Sequence, residues 1–176
     1  MSAIDATRIW LERAVIGLNL CPFAKGVHLK QQIRWVESAA TDADALLDDL
    51  VRELRLMADA DPETVETTLL VHPQVLQDFD DYNQFLDVAD AALEALGLAG
   101  TLQVASFHPD YRFDGTEPDD ITNASNRSPH PTLHLLREAS IERAVDSLDD
   151  ANEIVERNLD TLRRLGPEGW RRLFSG

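Results

Sequence analysis

The sequence predicts an α/β fold: a small three-stranded parallel or mixed sheet, flanking helices and a helical C-terminal third. Three observations predict it. Short apolar strands at about 33–38, 67–71 and 102–107 alternate with amphipathic helical stretches at about 42–60 and 79–96. Such alternation implies right-handed crossovers and helices packed on a sheet. Thr67-Thr68-Leu69-Leu70-Val71 is continuous and rich in strand formers, the pattern of a strand covered on both faces. Beyond residue 131 the chain reads as helix to its end.

Taken in order, Ser2-x-x-Asp5 is a capping box at the start of a first helix. Ile4, Ile9, Trp10, Leu11, Val15, Ile16 and Leu18 form its apolar face. Gly17 and Asn19 weaken its end, and Pro22 stops it. Leu20-Cys21-Pro22-Phe23-Ala24 is an apolar turn expected on the core, and 25–32 is a polar connector. The strand at 33–38 leads to a helix capped by Thr41 or Asp42, with Leu46, Leu47, Leu50, Leu54 and Met57 inward. Asp61-Pro62 ends it. The second strand closes in His72-Pro73. The next helix turns Phe85, Val88, Ala89, Ala92 and Leu96 inward, with Gly97 and Gly100 at its exit. The third strand closes in His108-Pro109.

Residues 110–129 lack periodicity, and a loop longer than about 15 residues in a compact domain usually serves a purpose. Pro131 suits the first turn of a helix reaching about Glu138. Helices at about 140–146 and 149–165 follow, the latter capped through Ser147-x-x-Asp150 and closed by Gly166-Pro167. The amphipathic tail packs Trp170, Leu173 and Phe174 on the body. The 176 residues suit one domain, 1–176.

Net charge is -16, from 32 acids and 16 bases. That balance argues against nucleic acid and anionic lipid, which bind through Lys and Arg. No apolar run reaches the roughly 20 residues that span a bilayer, and the N-terminus lacks signal-peptide features. A single cysteine, Cys21, forms no internal disulfide and fits a reducing compartment. A cytoplasmic protein of a bacterial type is expected.

The unusual chemistry lies between Ala105 and Arg137, which holds three of the five histidines. In open sheets, ligands bind beyond the carboxyl ends of the strands. If the strands run parallel, Glu37, His72 and His108 share that rim. Four readings compete there. His72, His108, His130 and His134, with Glu37, Asp110 or Cys21, would form a transition-metal site, provided His130 and His134 share a helix face. The alternative is histidines that mark strand ends and bond backbone. Arg112, Arg127 and Arg137 around a helix start near Ser128–Pro131 would bind a phosphate or carboxylate. The alternative is pairing with Asp110, Asp114, Asp119, Asp120 or Glu138 to pin the loop. Cys21 is a nucleophile with a distant histidine, or a buried inert thiol, which its apolar neighbours favour. His108 is a general acid–base group beside Asp110 or Tyr111, or a strand-end histidine bonded to a loop carbonyl. The Asp-Asp pairs read as solvated or capping acids.

Three blocks also carry a family likeness: Asn19-Leu20-Cys21-Pro22-Phe23-Ala24; Ser106-Phe107-His108-Pro109-Asp110-Tyr111-Arg112-Phe113; and Asn126-Arg127-Ser128-Pro129-His130-Pro131 with His134-Leu135-Leu136-Arg137-Glu138. Over nearly the whole chain the sequence resembles a bacterial family known as domain of unknown function 1415. The resemblance implies no reaction or cofactor, only that Cys21, His108 and the turn from Arg127 to His134 belong together.

The function expected is a small-molecule site at the strand ends, in an enzyme that acts on a small anionic metabolite. His108, His130, His134 and Cys21 would be catalytic, and Arg112, Arg127 and Arg137 would bind substrate. A protein that binds or senses a divalent transition metal through His72, His108, His130 and His134 is one alternative. A non-catalytic interaction domain is the other.

Overall fold

The computed structural model describes residues 1–148 and 150–175. Its elements are α1 (Ala3–Trp10), a π-helical continuation (Leu11–Ile16), α2 (Ala24–Leu29), β1 (Ile33–Glu37), α3 (Ala43–Asp59), β2 (Thr67–Val71), α4 (Phe79–Ala95), β3 (Leu102–Phe107), a 3-10 turn (Ile121–Asn126), β4 (Thr132–Arg137), α5 (Glu138–Asp146) and α6 (Ala151–Arg172). The sheet has four strands in the order β1-β2-β4-β3, not three. β1 and β2 pair parallel, while β4 runs antiparallel between β2 and β3. β1, β2 and β3 therefore point the same way, and their carboxyl ends share one rim.

The fourth strand is the segment expected to be helical. Thr132-Leu133-His134-Leu135-Leu136-Arg137 is long enough to pair on both sides, and two neighbours with open edges outweigh the helix-start preference of Pro131. Strand alternation then sends Leu133 and Leu135 to one face and His134 and Leu136 to the other. A second difference is α2, where a polar connector was expected.

Local capping follows the sequence. Ser2 accepts from the Asp5 amide, Asp42 from Ala45 and Asp78 from Asp81. Asp150 caps α6, while Asp149, the start expected for that helix, lies outside the described residues. Gly166 breaks α6 with a φ of 70°, and Pro167 follows, where the helix was expected to end.

The main core lies on one sheet face. Leu46, Leu50, Leu54 and Met57 of α3 and Tyr82, Phe85, Ala89 and Leu93 of α4 cover Leu70, Leu102, Leu133 and Leu135. Each of the leucines, Met57 and Phe85 contributes about 1.5–3 kcal/mol on burial. The opposite face carries a smaller cluster of Trp10, Leu11, Ala14 and Val15 against Ile33, Trp35 and Phe107, with Trp170 and Leu173 from the C-terminus. Arg8 lies 5.0 Å over the Trp35 ring. Among the described residues no helix is long and apolar enough to cross a membrane.

Tyr82 ties α4 to the rim. Its fully buried hydroxyl donates to the Thr132 carbonyl at 2.7 Å and accepts from the Phe107 amide at 3.0 Å. Tyr82→Phe removes both bonds from the buried end of the β3–β4 pair. We expect a loss of about 2 kcal/mol in urea unfolding with an unchanged m-value. A midpoint equal to wild type would contradict that role.

Candidate functional site

The rim does gather His72 and His108, each following its strand by one residue. Both are fully buried, and both rings lie on Tyr82, with centroids 5.8 and 4.9 Å away. A turn with Leu76 at a φ of 60° brings two carbonyls onto them. His72 Nδ1 donates to Val75 O at 3.0 Å. His108 Nε2 donates to Leu76 O at 3.0 Å, and its Nδ1 accepts from the Asp110 amide at 3.0 Å. Every polar atom of the His108 ring is thus engaged by backbone, which leaves none for the acid–base role expected of it. Burial is the main cause that pushes both histidines below the ordinary imidazole range, His72 to about 4.

The four-histidine centre is not formed. His134 sits mid-strand in β4, level with Leu69 and Ala105, on the sheet face away from Tyr82. His130 precedes the strand and is half-buried. With a strand in place of the expected helix, His130 and His134 share no helical face. Among the described residues, no three His, Cys, Asp or Glu side chains gather as metal ligands would.

Arg127 and Arg112 pin the loop, but through carbonyls rather than the acids expected. Arg127 donates to Tyr111 O at 2.9 Å and Pro118 O at 2.6 Å, and Arg112 Nε to Thr116 O at 2.7 Å. Arg137 donates to Met57 O and Val65 O, at 2.9 and 2.7 Å, so it closes the end of α3. Buried Asn123 completes the loop by accepting from the Phe113 amide and donating to the Glu117 carbonyl, both at 3.0 Å. No helix starts near Ser128–Pro131, so the expected dipole for an anion is missing. What remains at the rim is a polar cleft of about 360 Å³ between the start of α4 and residues 111–115, lined by Asp80, Asn83, Arg112 and Asp114 among others.

A larger cavity, about 700 Å³, lies on the other sheet face. Its floor is Ile33, Leu69, Ala105, Phe107, His134 and Leu136, and Trp10, Leu11 and Val15 form one wall. Leu20, Cys21, Phe23 and Val27 form a second wall, and Ile141, Ala144, Val145 and Leu148 a third. α2 and α5 bury none of their residues, although the apolar side of α5 looks into this space. The lining comes from short pieces of the chain far apart in sequence, which leaves no linear motif. One signal was readable: a histidine flanked by leucines in an alternating strand.

Within the cavity the polar geometry is specific. The Thr67 hydroxyl has one proton and donates it to Leu135 O at 2.6 Å. His134 Nε2, 2.7 Å from the same oxygen, must therefore be the donor to it. His134 Nδ1 then carries a lone pair. Among the described residues the sealed side-chain atoms without a partner are Trp10 Nε1, Thr68 Oγ1 and His72 Nε2. His134 Nδ1 is not one of them and has no hydrogen-bond partner among the described residues, so it opens onto the cavity that His134 lines. The ring is otherwise hemmed in by protein, and this desolvation pushes its pKa down to about 4. Glu66 lines the same space and accepts from Ser140, to which Arg143 donates at 3.3 Å.

Cys21 is exposed at the edge of this cavity, not buried as its neighbours implied; Leu20 carries the burial of that turn. We expect Cys21 in the folded protein to react fully with a thiol reagent. A thiol that reacts only after urea is added would contradict its placement.

A family model matches residues 2–172. The chain belongs to the family described as protein of unknown function (DUF1415). The match spans the sheet, the loop and the cavity alike, and the family carries no activity to assign to them. No curated protein and no solved structure matches the chain.

Proposed function

We propose that this protein binds a small, mostly apolar molecule in the cavity between the sheet and α5. One observation carries the reading: an amphipathic helix turns its apolar residues toward about 700 Å³ of space and buries none of them. Exposed apolar surface is unfavourable by about 25 cal/mol per Å², so a ligand that fills the space recovers that term. The volume lies within the range of about 300–1,000 Å³ typical of small-molecule sites.

Titration with Nile red, a neutral apolar dye, tests this. Saturable, blue-shifted emission at one site per chain is expected, and Ala144→Trp, which fills the cavity from α5, should abolish it. No saturable uptake, or uptake unchanged by Ala144→Trp, would overturn the reading.

A second reading keeps the expected small anion at the rim. It is favoured by the polar cleft, where Arg112 commits its Nε to Thr116 and leaves the rest of its fork without a hydrogen-bond partner among the described residues. Thermal stabilisation by phosphates or carboxylates that disappears in Arg112→Ala would support it.

A further inference from the structure

We infer that the molecule held in the cavity carries a hydroxyl group, alcoholic or phenolic, that donates a hydrogen bond to Nδ1 of His134. The inference rests on the cavity reading and adds the chemical class of the ligand.

The argument is one of proton counting. Leu135 O can only accept, so the Thr67 proton is directed to it. The Thr67 oxygen is left as an acceptor, and His134 Nε2 supplies the proton between them. A neutral imidazole has one N–H, so Nδ1 is a bare acceptor. An apolar ligand without a donor would cover that nitrogen and strip its water without replacement. A carboxylate would bring only acceptor oxygens against it. A hydroxyl matches it, and its hydrocarbon body matches the surrounding Leu69, Phe107, Leu136 and Ile141.

The other polar groups of the cavity are less suited to anchor an anion. Arg137 is held by backbone carbonyls, and Arg143 leans on the Ser140–Glu66 pair, whose carboxylate offsets its charge. Burial adds to the same conclusion, since it keeps the His134 ring neutral at pH 7.

Competition against Nile red with 4-hexylphenol, 4-hexylanisole and 4-hexylbenzoate at pH 7.5 tests the inference. The three share a body and differ in one group. The phenol should compete about tenfold more tightly than the anisole, the factor expected of one hydrogen bond that otherwise leaves a desolvated acceptor. The benzoate should be the weakest. In His134→Leu the phenol and anisole should compete equally against the dye. His134→Gln, which offers an amide N–H to Thr67 and a carbonyl to the ligand, should keep part of the preference. Equal competition by phenol and anisole in wild type, with dye uptake intact, would overturn this inference alone. The same holds if the preference survives in His134→Leu. Absence of dye uptake in wild type would overturn the cavity reading and this inference together.

Discussion

Acidification from pH 7 to pH 4 is expected to cost about 5 kcal/mol of folding stability, most of it from His72 and His134. Both titrate near 4 in the folded chain, against an ordinary value of 6.5. For His72 the cause is desolvation first, offset in part by its bond to Val75 O and reinforced by nearby His108; for His134 it is desolvation. The sign follows from proton uptake. The unfolded chain protonates these rings as pH falls below about 6.5, while the folded chain holds them neutral until about 4. Their contribution is therefore complete above pH 6.5, declines through the window between, and has gone below 4. His108 shifts in the same direction and adds to the loss. Asp120, held below its ordinary 3.8 by the backbone and side chain of Thr122, acts with the same sign under more acidic conditions. Such a loss rivals the whole stability of many domains, about 5–15 kcal/mol. Urea midpoints between pH 7.5 and 4 measure it, and His134→Gln should remove about half the slope. A midpoint that stays flat from pH 6.5 to 4.5 would mean that these rings are not held neutral.

Arg34→Met is expected to cost about 3 kcal/mol. Arg34 in β1 donates through Nε at 3.1 Å to both carboxylate oxygens of Glu53 in α3, and through Nη2 at 2.9 Å to one of them. The Glu53 side chain is only 2% exposed, and that fork faces its carboxylate. Breaking a buried pair from one side typically costs about 3–5 kcal/mol, because an uncompensated charge is left behind. The Arg34 side chain is 39% exposed, which places this case at the low end of that range. The double variant Arg34→Met/Glu53→Leu should recover most of the loss, since a packed apolar pair replaces a desolvated ionic one. A double variant as unstable as the single one would show that shape, not charge, governs this contact.

The framework of helices and parallel strands was legible because it depends on local pattern. Leu46, Leu50, Leu54 and Met57 recur at helical spacing and are all fully buried. The strand ends at Glu37, His72 and His108 do share a rim, as the alternation of strands and helices implied. The failures have a common source in β4. Pro131 followed by Thr-Leu-His-Leu-Leu fits a first helical turn as well as a strand. The choice is made by β2 and β3, which offer unpaired backbone on either side. That one assignment moved His134 to the opposite sheet face, dissolved the expected metal cluster and removed the helix start meant to hold an anion. Cys21 was misjudged for a related reason: apolar neighbours marked its turn for the core, yet Leu20 and Ala24 met that demand and left the thiol exposed.

What the chain determines without its folded context is where it can be helix, which faces seek burial, where caps and breaks fall, and that its net charge is strongly negative. These depend on neighbours a few residues away and on total charge. What only the tertiary structure decided is the partner of each polar atom: carbonyls for the arginines, backbone for His72 and His108, a threonine for His134. It alone also left the apolar side of α5 facing a cavity. Hydrogen bonds and cavities are properties of surfaces that meet in space, and they involve residues whose spacing along the chain carries no periodic trace.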